Sequence, residues 1–200
     1  MGKWFPLMYD MAMRPIEQTK FKKIRKTLVS QAVGRVLEIG SGTGVNFPHY
    51  KNATQIDAIE PNPLMKERAL KWIKGSRIPI QTYLVKAEKL PFADNTFDSV
   101  VATLVFCTIP EPIKALQEIQ RVSKPNAKIL LFEHVRIDRA FLGKTQDVLT
   151  PLWKKACDGC HLNRNTLQLL KQSNLSILNV DSYFNGIFLS IKCLNEKQHK

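Results

Sequence analysis

Acidic residues are scarce in this chain: 17 Asp and Glu stand against 30 Lys and Arg, a formal charge of +13 over 200 residues. The deficit leaves a positive field facing nucleic acid, acidic lipid or small anions, or a merely solubilising surface. Cysteine is also sparse. Cys107, Cys157, Cys160 and Cys193 are too few and too scattered for a disulfide framework, and no signal-peptide pattern precedes them, so a reducing cytoplasm is expected. No apolar run approaches the roughly 20 residues of a membrane span. Met1 to Asp10 carries Trp4, Phe5, Leu7 and Met8 but is broken by Pro6 and ends in an acid, which argues against an integral membrane protein. Repeats and low-complexity segments are missing too. What remains, with 44% hydrophobic residues, is one domain over 1–200: an N-terminal helical lid over 1–31 and a core over 32–200.

Periodicity predicts a helix over Arg14–Gln31, with Ile16, Phe21, Ile24 and Leu28 on one face and Lys20, Lys22, Lys23, Arg25 and Lys26 mostly elsewhere. Such a basic amphipathic helix suits a membrane surface or a solvated helix packed on the domain. Beyond it, apolar runs at Val36–Ile39, Gln55–Ile59, Ile80–Val85, Ser99–Val105 and Lys128–Glu133 alternate with helical spacing at Leu64–Ile73 and Ile113–Val122. That alternation predicts an α/β fold, a doubly wound, Rossmann-like, mostly parallel sheet with helices on both faces. From Val135 to about His161 the pattern loosens into an irregular insert, followed by a helix near Asn165–Gln172. Leu175–Val180 and Gly186–Ile191, joined at Asn185-Gly186, predict an antiparallel C-terminal strand pair.

Glu38-Ile39-Gly40-Ser41-Gly42-Thr43-Gly44 is a buried strand turning into a helix start through glycines that let a ligand approach the backbone. The dinucleotide fingerprint would need a third glycine at position 45, where Val45 stands, and no Gly-Lys-Ser/Thr ending marks a phosphate loop. Glu60, followed by Pro61, falls at the tip of the second strand, where a carboxylate accepts hydrogen bonds from ribose hydroxyls. The pair points to an adenosine cofactor.

These motifs, with Leu90-Pro91-Phe92-Ala93-Asp94-Asn95-Thr96-Phe97-Asp98-Ser99-Val100, resemble the class I S-adenosylmethionine-dependent methyltransferases of the small-molecule type. The resemblance implies S-adenosylmethionine as cofactor and S-adenosylhomocysteine as its product. It implies that Glu38, Gly40, Ser41, Gly42 and Gly44 hold the methionine end, that Glu60 and Pro61 hold the ribose, and that Ala87 and Glu88 meet the adenine. Thr103 and Leu104 are implied to run beside the methionine part. Many relatives have Asp where Lys86 stands; an ammonium accepts no hydrogen bond, which shifts the expected adenine contacts to Ala87 backbone and Glu88.

Acceptors in such sheets bind beyond the carboxyl ends of the strands, which brings Tyr9, Phe106, His134 and Trp153 into view as substrate contacts. His134, directly after the fifth strand, is either a general base or a hydrogen-bonded structural histidine. Cys157-Asp158-Gly159-Cys160-His161 has the spacing of a haem attachment site or half a zinc site, yet reads more simply as a turn with incidental cysteines, so no metal is expected.

Phe132-Glu133-His134-Val135, Trp153 and Cys157-Asp158-Gly159-Cys160 further resemble the alkyl thiol S-methyltransferases, implying a thiol acceptor. Those relatives carry an N-terminal membrane anchor with no counterpart here, so membrane residence is not carried over. Phosphatidylethanolamine N-methyltransferases and quinone C-methyltransferases share the general motifs, keeping a lipid or quinone acceptor and peripheral contact with an anionic membrane open. Nucleic acid is disfavoured, because no Asn/Asp-Pro-Pro-aromatic tetrapeptide for stacking a flipped base is present. A regulator that binds cofactor without turnover is disfavoured by the intact glycine loop and Glu60.

Overall fold

The computed structural model describes residues 20–157 and 159–197. Helix α1 (Lys22–Val29) leads into β1 (Val33–Ile39), followed by β2 (Asn52–Ile59), α2 (Pro63–Lys74) and β3 (Ile80–Tyr83). The second half runs β4 (Phe97–Thr103), α3 (Pro112–Val122), β5 (Ser123–His134), α4 (Ala140–Ala156), α5 (Thr166–Lys171), β6 (Leu175–Tyr183) and β7 (Phe188–Asn195). All seven strands form one sheet in the order β3-β2-β1-β4-β5-β7-β6. The first five pair in parallel, while β7 lies antiparallel to both β5 and β6. This is the Rossmann-like sheet the alternation predicts.

Central strands covered on both faces need continuous apolar runs, and Val36 to Ile39 with Val100 to Ala102 supply them. Two apolar clusters, one on each face, sandwich the sheet. Leu116, Ile119 and Val122 of α3 pack with Ile129 and Leu131 on one side. On the other, Phe21, Ile24, Leu28 and Val29 pack with Val36, Ile56 and Phe132. Helix α2 begins where Asn62 caps it, its side chain accepting the Leu64 N–H, with Pro63 at the first helical position. The Asn185-Gly186 hairpin forms as expected, with Asn185 at φ 56 and Gly186 at φ 90.

Four expectations need correction. Strand β3 stops at Tyr83 rather than Val85, and β4 spans Phe97–Thr103 rather than Ser99–Val105. Leu104 ends β4 by taking a left-handed conformation, φ 54, while its N–H still bonds the Phe132 carbonyl at 2.7 Å. The expected irregular insert contains the 17-residue helix α4. Arg25, expected on the solvated face of the first helix, is 2% exposed. Among the described residues, this helix packs Phe21, Ile24, Leu28 and Val29 into the core, and the rest of the expected 1–31 lid lies outside them.

Candidate active site

Strands β1, β2 and β4 end around a cavity of about 320 Å³ whose lining includes Gly40, Ser41, Gly42, Glu60, Pro61, Ala87, Glu88, Thr103 and Leu104. Its floor is the glycine turn. Gly40 sits at φ 61, and a Cβ there would lie 2.2 Å from Val105 Cγ2, so only glycine lets the ends of β1 and β4 meet. Gly42, at φ 54, faces open space with no atom within 4 Å of where a Cβ would stand. A bare backbone bordering an apolar-walled cavity is the cradle a nucleoside cofactor requires.

Glu60 ties this turn to β2. Its Oε2 accepts the Gly42 N–H at 3.0 Å and its Oε1 accepts the Asn62 N–H at 2.8 Å. A carboxylate offers about four acceptor sites and no donor, the chemistry that ribose hydroxyls need. Ser41 is held by its N–H on the Ile59 carbonyl at 3.0 Å. The residues present therefore fit the adenosyl group the motifs imply.

Two residues of the implied set stand behind the cavity rather than in its wall. The Glu38 carboxylate is buried, with Asn46 Nδ2 donating to Oε1 at 2.9 Å and Tyr50 OH donating to Oε2 at 2.8 Å. Burial pushes its pKa up to about 7, against the pull of those donors and of Arg25. Gly44 packs on Phe47 and Ala69. Both shape the turn from below. Sequence reasoning missed Arg25 and Asn46, which line the cavity and join in one network: the Arg25 guanidinium donates to Asn46 Oδ1 at 3.1 Å and to Thr103 Oγ1. Only the third dimension brings α1 to the end of β4.

On the acceptor side the expected residues divide. Tyr9 lies outside the described residues. Phe106 is fully buried in the core: Leu104 takes a left-handed conformation, and Val105 and Phe106 donate their N–H groups to Glu133 Oε1 at 3.0 and 3.2 Å. Trp153, on α4, is 43% exposed. His134 is not a lone base, because its Nε2 lies 3.3 Å from Cys160 Sγ. Cys107, from the turn after β4, joins them, and the three ligating atoms fall within 4.8 Å of one another. The Cys107 thiol and the His134 ring hold the Cys160 thiol down to about 5, while Cys160 and burial push Cys107 up. Of the Cys157 and Cys160 pair, only Cys160 joins this group, beside a distant Cys and His that sequence spacing did not reveal.

Comparison with known proteins agrees with this geometry. A family model described as a methyltransferase domain matches residues 37–131. The chain is 32% identical over 201 residues to the thiol S-methyltransferase TMT1B of Homo sapiens, covering 90% of this chain and 82% of that protein. To the Rattus norvegicus protein of the same name it is 37% identical over 147 residues, 70% of this chain and 59% of that one. A phosphatidylethanolamine N-methyltransferase of Cereibacter sphaeroides is 30% identical over 58% of each chain. Among solved structures, a SAM-dependent methyltransferase of Thermotoga maritima superposes with a TM-score of 0.67 at 21% identity, over 96% of this chain and 98% of that one. The glycine turn, the Glu60 carboxylate on the Gly42 N–H and these relatives agree, and the chain belongs to the class I S-adenosylmethionine-dependent methyltransferases.

Proposed function

We propose that this methyltransferase methylates the sulfur of a small or lipophilic thiol. The carrying observation is the sulfur- and imidazole-rich cluster of Cys107, His134 and Cys160, in which Cys107 stands on the loop after β4 whose neighbouring residues Leu104, Val105 and Thr108 wall the cofactor cavity. The identity to proteins named thiol S-methyltransferases supports the same acceptor.

When bound, the cofactor supplies a methyl group on a positively charged sulfonium, so the protein's work is alignment and exclusion of water. Gly40 and Gly42 present bare backbone to it, and Glu60 directs acceptor oxygens at the ribose. Leu104 and Val105, on the loop that carries Cys107, line the cavity. A thiol must shed its proton to become a good nucleophile. In this reading, the acceptor sulfur is received at the cluster of Cys107, His134 and Cys160, His134 accepts its proton, and Trp153 borders the approach. Incubating the full chain with methyl-labelled cofactor and alkyl thiols, quinols and phosphatidylethanolamine tests this. Labelled thioether is expected; transfer to the quinol or the phospholipid alone contradicts it.

A lipophilic acceptor is reached most easily from a lipid surface, and we assign peripheral contact to α4. Phe141, Val148 and Leu152 on this helix are 81%, 78% and 72% exposed, with Lys144 and Lys155 on the same helix. Apolar anchors beside lysines suit an anionic bilayer. No helix among the described residues is long and apolar enough to cross a membrane. Four free cysteines accord with a reducing compartment such as the cytoplasm.

A further inference from the structure

Cys107, His134 and Cys160 come from three separate segments, yet their ligating atoms lie within 4.8 Å of one another. A tetrahedral Zn²⁺, with Zn–S near 2.3 Å and Zn–N near 2.0 Å, spaces its ligand atoms about 3.5–3.8 Å apart. The His134 Nε2 to Cys160 Sγ distance of 3.3 Å is already close to that spacing. Backbone contacts hold the segments in place. The His161 N–H donates to the Cys107 carbonyl at 2.9 Å, docking the Cys160 turn on the turn after β4, and the Cys160 N–H donates to the Cys157 carbonyl at 2.9 Å.

Glu133 is fully buried beside the cluster, and its Oε2 has no hydrogen-bond partner among the described residues, while its Oε1 accepts the Val105 and Phe106 N–H groups. Arg164 donates to the Ile109 carbonyl at 3.0 Å and interacts with Cys107, Cys160 and Glu133. With Zn²⁺ bound, both cysteines would be thiolates, and the ion and Arg164 together would match their charge and that of a Glu133 carboxylate.

We propose that Cys107, His134 and Cys160 form a Zn²⁺ site whose fourth position binds the acceptor sulfur. The inference rests on the thiol reading above. Three protein ligands with one open position are the arrangement of catalytic zinc, whereas structural zinc sites are closed by four. An incoming thiol, R–SH, coordinates the metal and releases its proton to water, because a coordinated thiol is deprotonated. The thiolate sulfur then forms the bond to the methyl carbon. The bond from that carbon to the cofactor sulfonium breaks with its electron pair retained by the departing sulfur, giving S-adenosylhomocysteine and R–S–CH₃ with no change of oxidation state at the metal. The thioether product is neutral, a weaker ligand than the thiolate, and leaves.

The test uses the full chain, kept reduced with a phosphine, stripped by a chelator and reloaded with Zn²⁺ or Co²⁺. One metal per chain is expected, and Co²⁺ should show tetrahedral ligand-field bands with charge-transfer absorption from two thiolates. Adding 2-mercaptoethanol should raise that absorption to the level of three. Cys107→Ser and Cys160→Ser should lose stoichiometric metal while still binding S-adenosylhomocysteine, which checks their folding. Absence of stoichiometric metal in the wild-type chain overturns the proposal. So does three-thiolate absorption before thiol is added that falls to two in Cys157→Ser, since the site would then be closed. A stripped chain that methylates thiols at an undiminished rate sinks the zinc site and leaves the thiol reading standing. A loaded chain that methylates only quinol or phospholipid overturns the thiol reading and the role of the fourth position together.

Discussion

Arg25, in the first described helix, donates to Thr103 Oγ1 at the end of β4, 78 residues away, with both side chains buried beside the cofactor cavity. The same guanidinium holds Asn46, which in turn donates to Glu38. Removing it leaves Thr103 and Asn46 short of a charged donor and the Glu38 carboxyl group without a nearby cation. Arg25→Met should therefore cost about 2–4 kcal/mol of stability. Urea unfolding measures this, and titration with S-adenosylhomocysteine should show weakened binding in the same variant. Unchanged values of both would show that the network does not brace the site.

Gly40 and Gly42 share a left-handed backbone but differ in surroundings, which separates folding from binding. A Cβ at Gly40 meets Val105 at 2.2 Å, so Gly40→Ala should unfold the chain or destabilise it by several kcal/mol. Gly42→Ala meets no neighbour and should cost only the backbone strain, about 1–2 kcal/mol. Its methyl group enters the cavity, so cofactor affinity should fall at least tenfold. Thermal melts and calorimetry on the two variants make the contrast.

Glu38 links stability to pH. Its pKa is raised from 4.5 to about 7 in the folded chain, so the folded state binds this proton more tightly than the unfolded one. The stabilisation is fully present below about pH 4.5 and is lost as pH rises through 7, at a slope of up to about 1.4 kcal/mol per pH unit. Glu38→Gln should flatten that decline. Urea unfolding of both proteins between pH 4.5 and 7.5 checks it; identical slopes would mean that Glu38 titrates normally.

The exposed face of α4 gives a prediction about lipid. Phe141→Asp combined with Leu152→Asp should abolish sedimentation with phosphatidylserine vesicles while leaving S-adenosylhomocysteine affinity unchanged, because neither residue lines the cavity. Equal sedimentation of the variant and the wild-type chain would place the contact elsewhere.

Local pattern made the cofactor half of the molecule readable from residues alone. Strands buried on both faces announce themselves as apolar runs, and the glycine turn and Glu60 are local motifs. Helix α4 escaped because Gly143 and Pro151 break its helical propensity and its large apolar residues face outward, leaving no inward stripe to detect. Strand β4 ends at Thr103 because Leu104 adopts a left-handed turn that no sequence rule assigns to leucine. Arg25 looked like a solvated charge because its buried partners Asn46 and Thr103 lie in other elements. For the same reason the cluster of Cys107, His134 and Cys160 was invisible: the adjacency of β4 and β5 brings Cys107 near His134, and the His161 N–H on the Cys107 carbonyl brings the Cys160 turn to both.

The cofactor assignment carries everything above it, and calorimetric titration with S-adenosylhomocysteine tests it most directly, with Glu60→Ala as the variant and NAD as the control. Saturable binding of S-adenosylhomocysteine, none of NAD, and an affinity at least tenfold weaker in the variant are expected, about 1.4 kcal/mol or more for the lost carboxylate. Binding of NAD in preference, or an affinity indifferent to Glu60, would contradict the account.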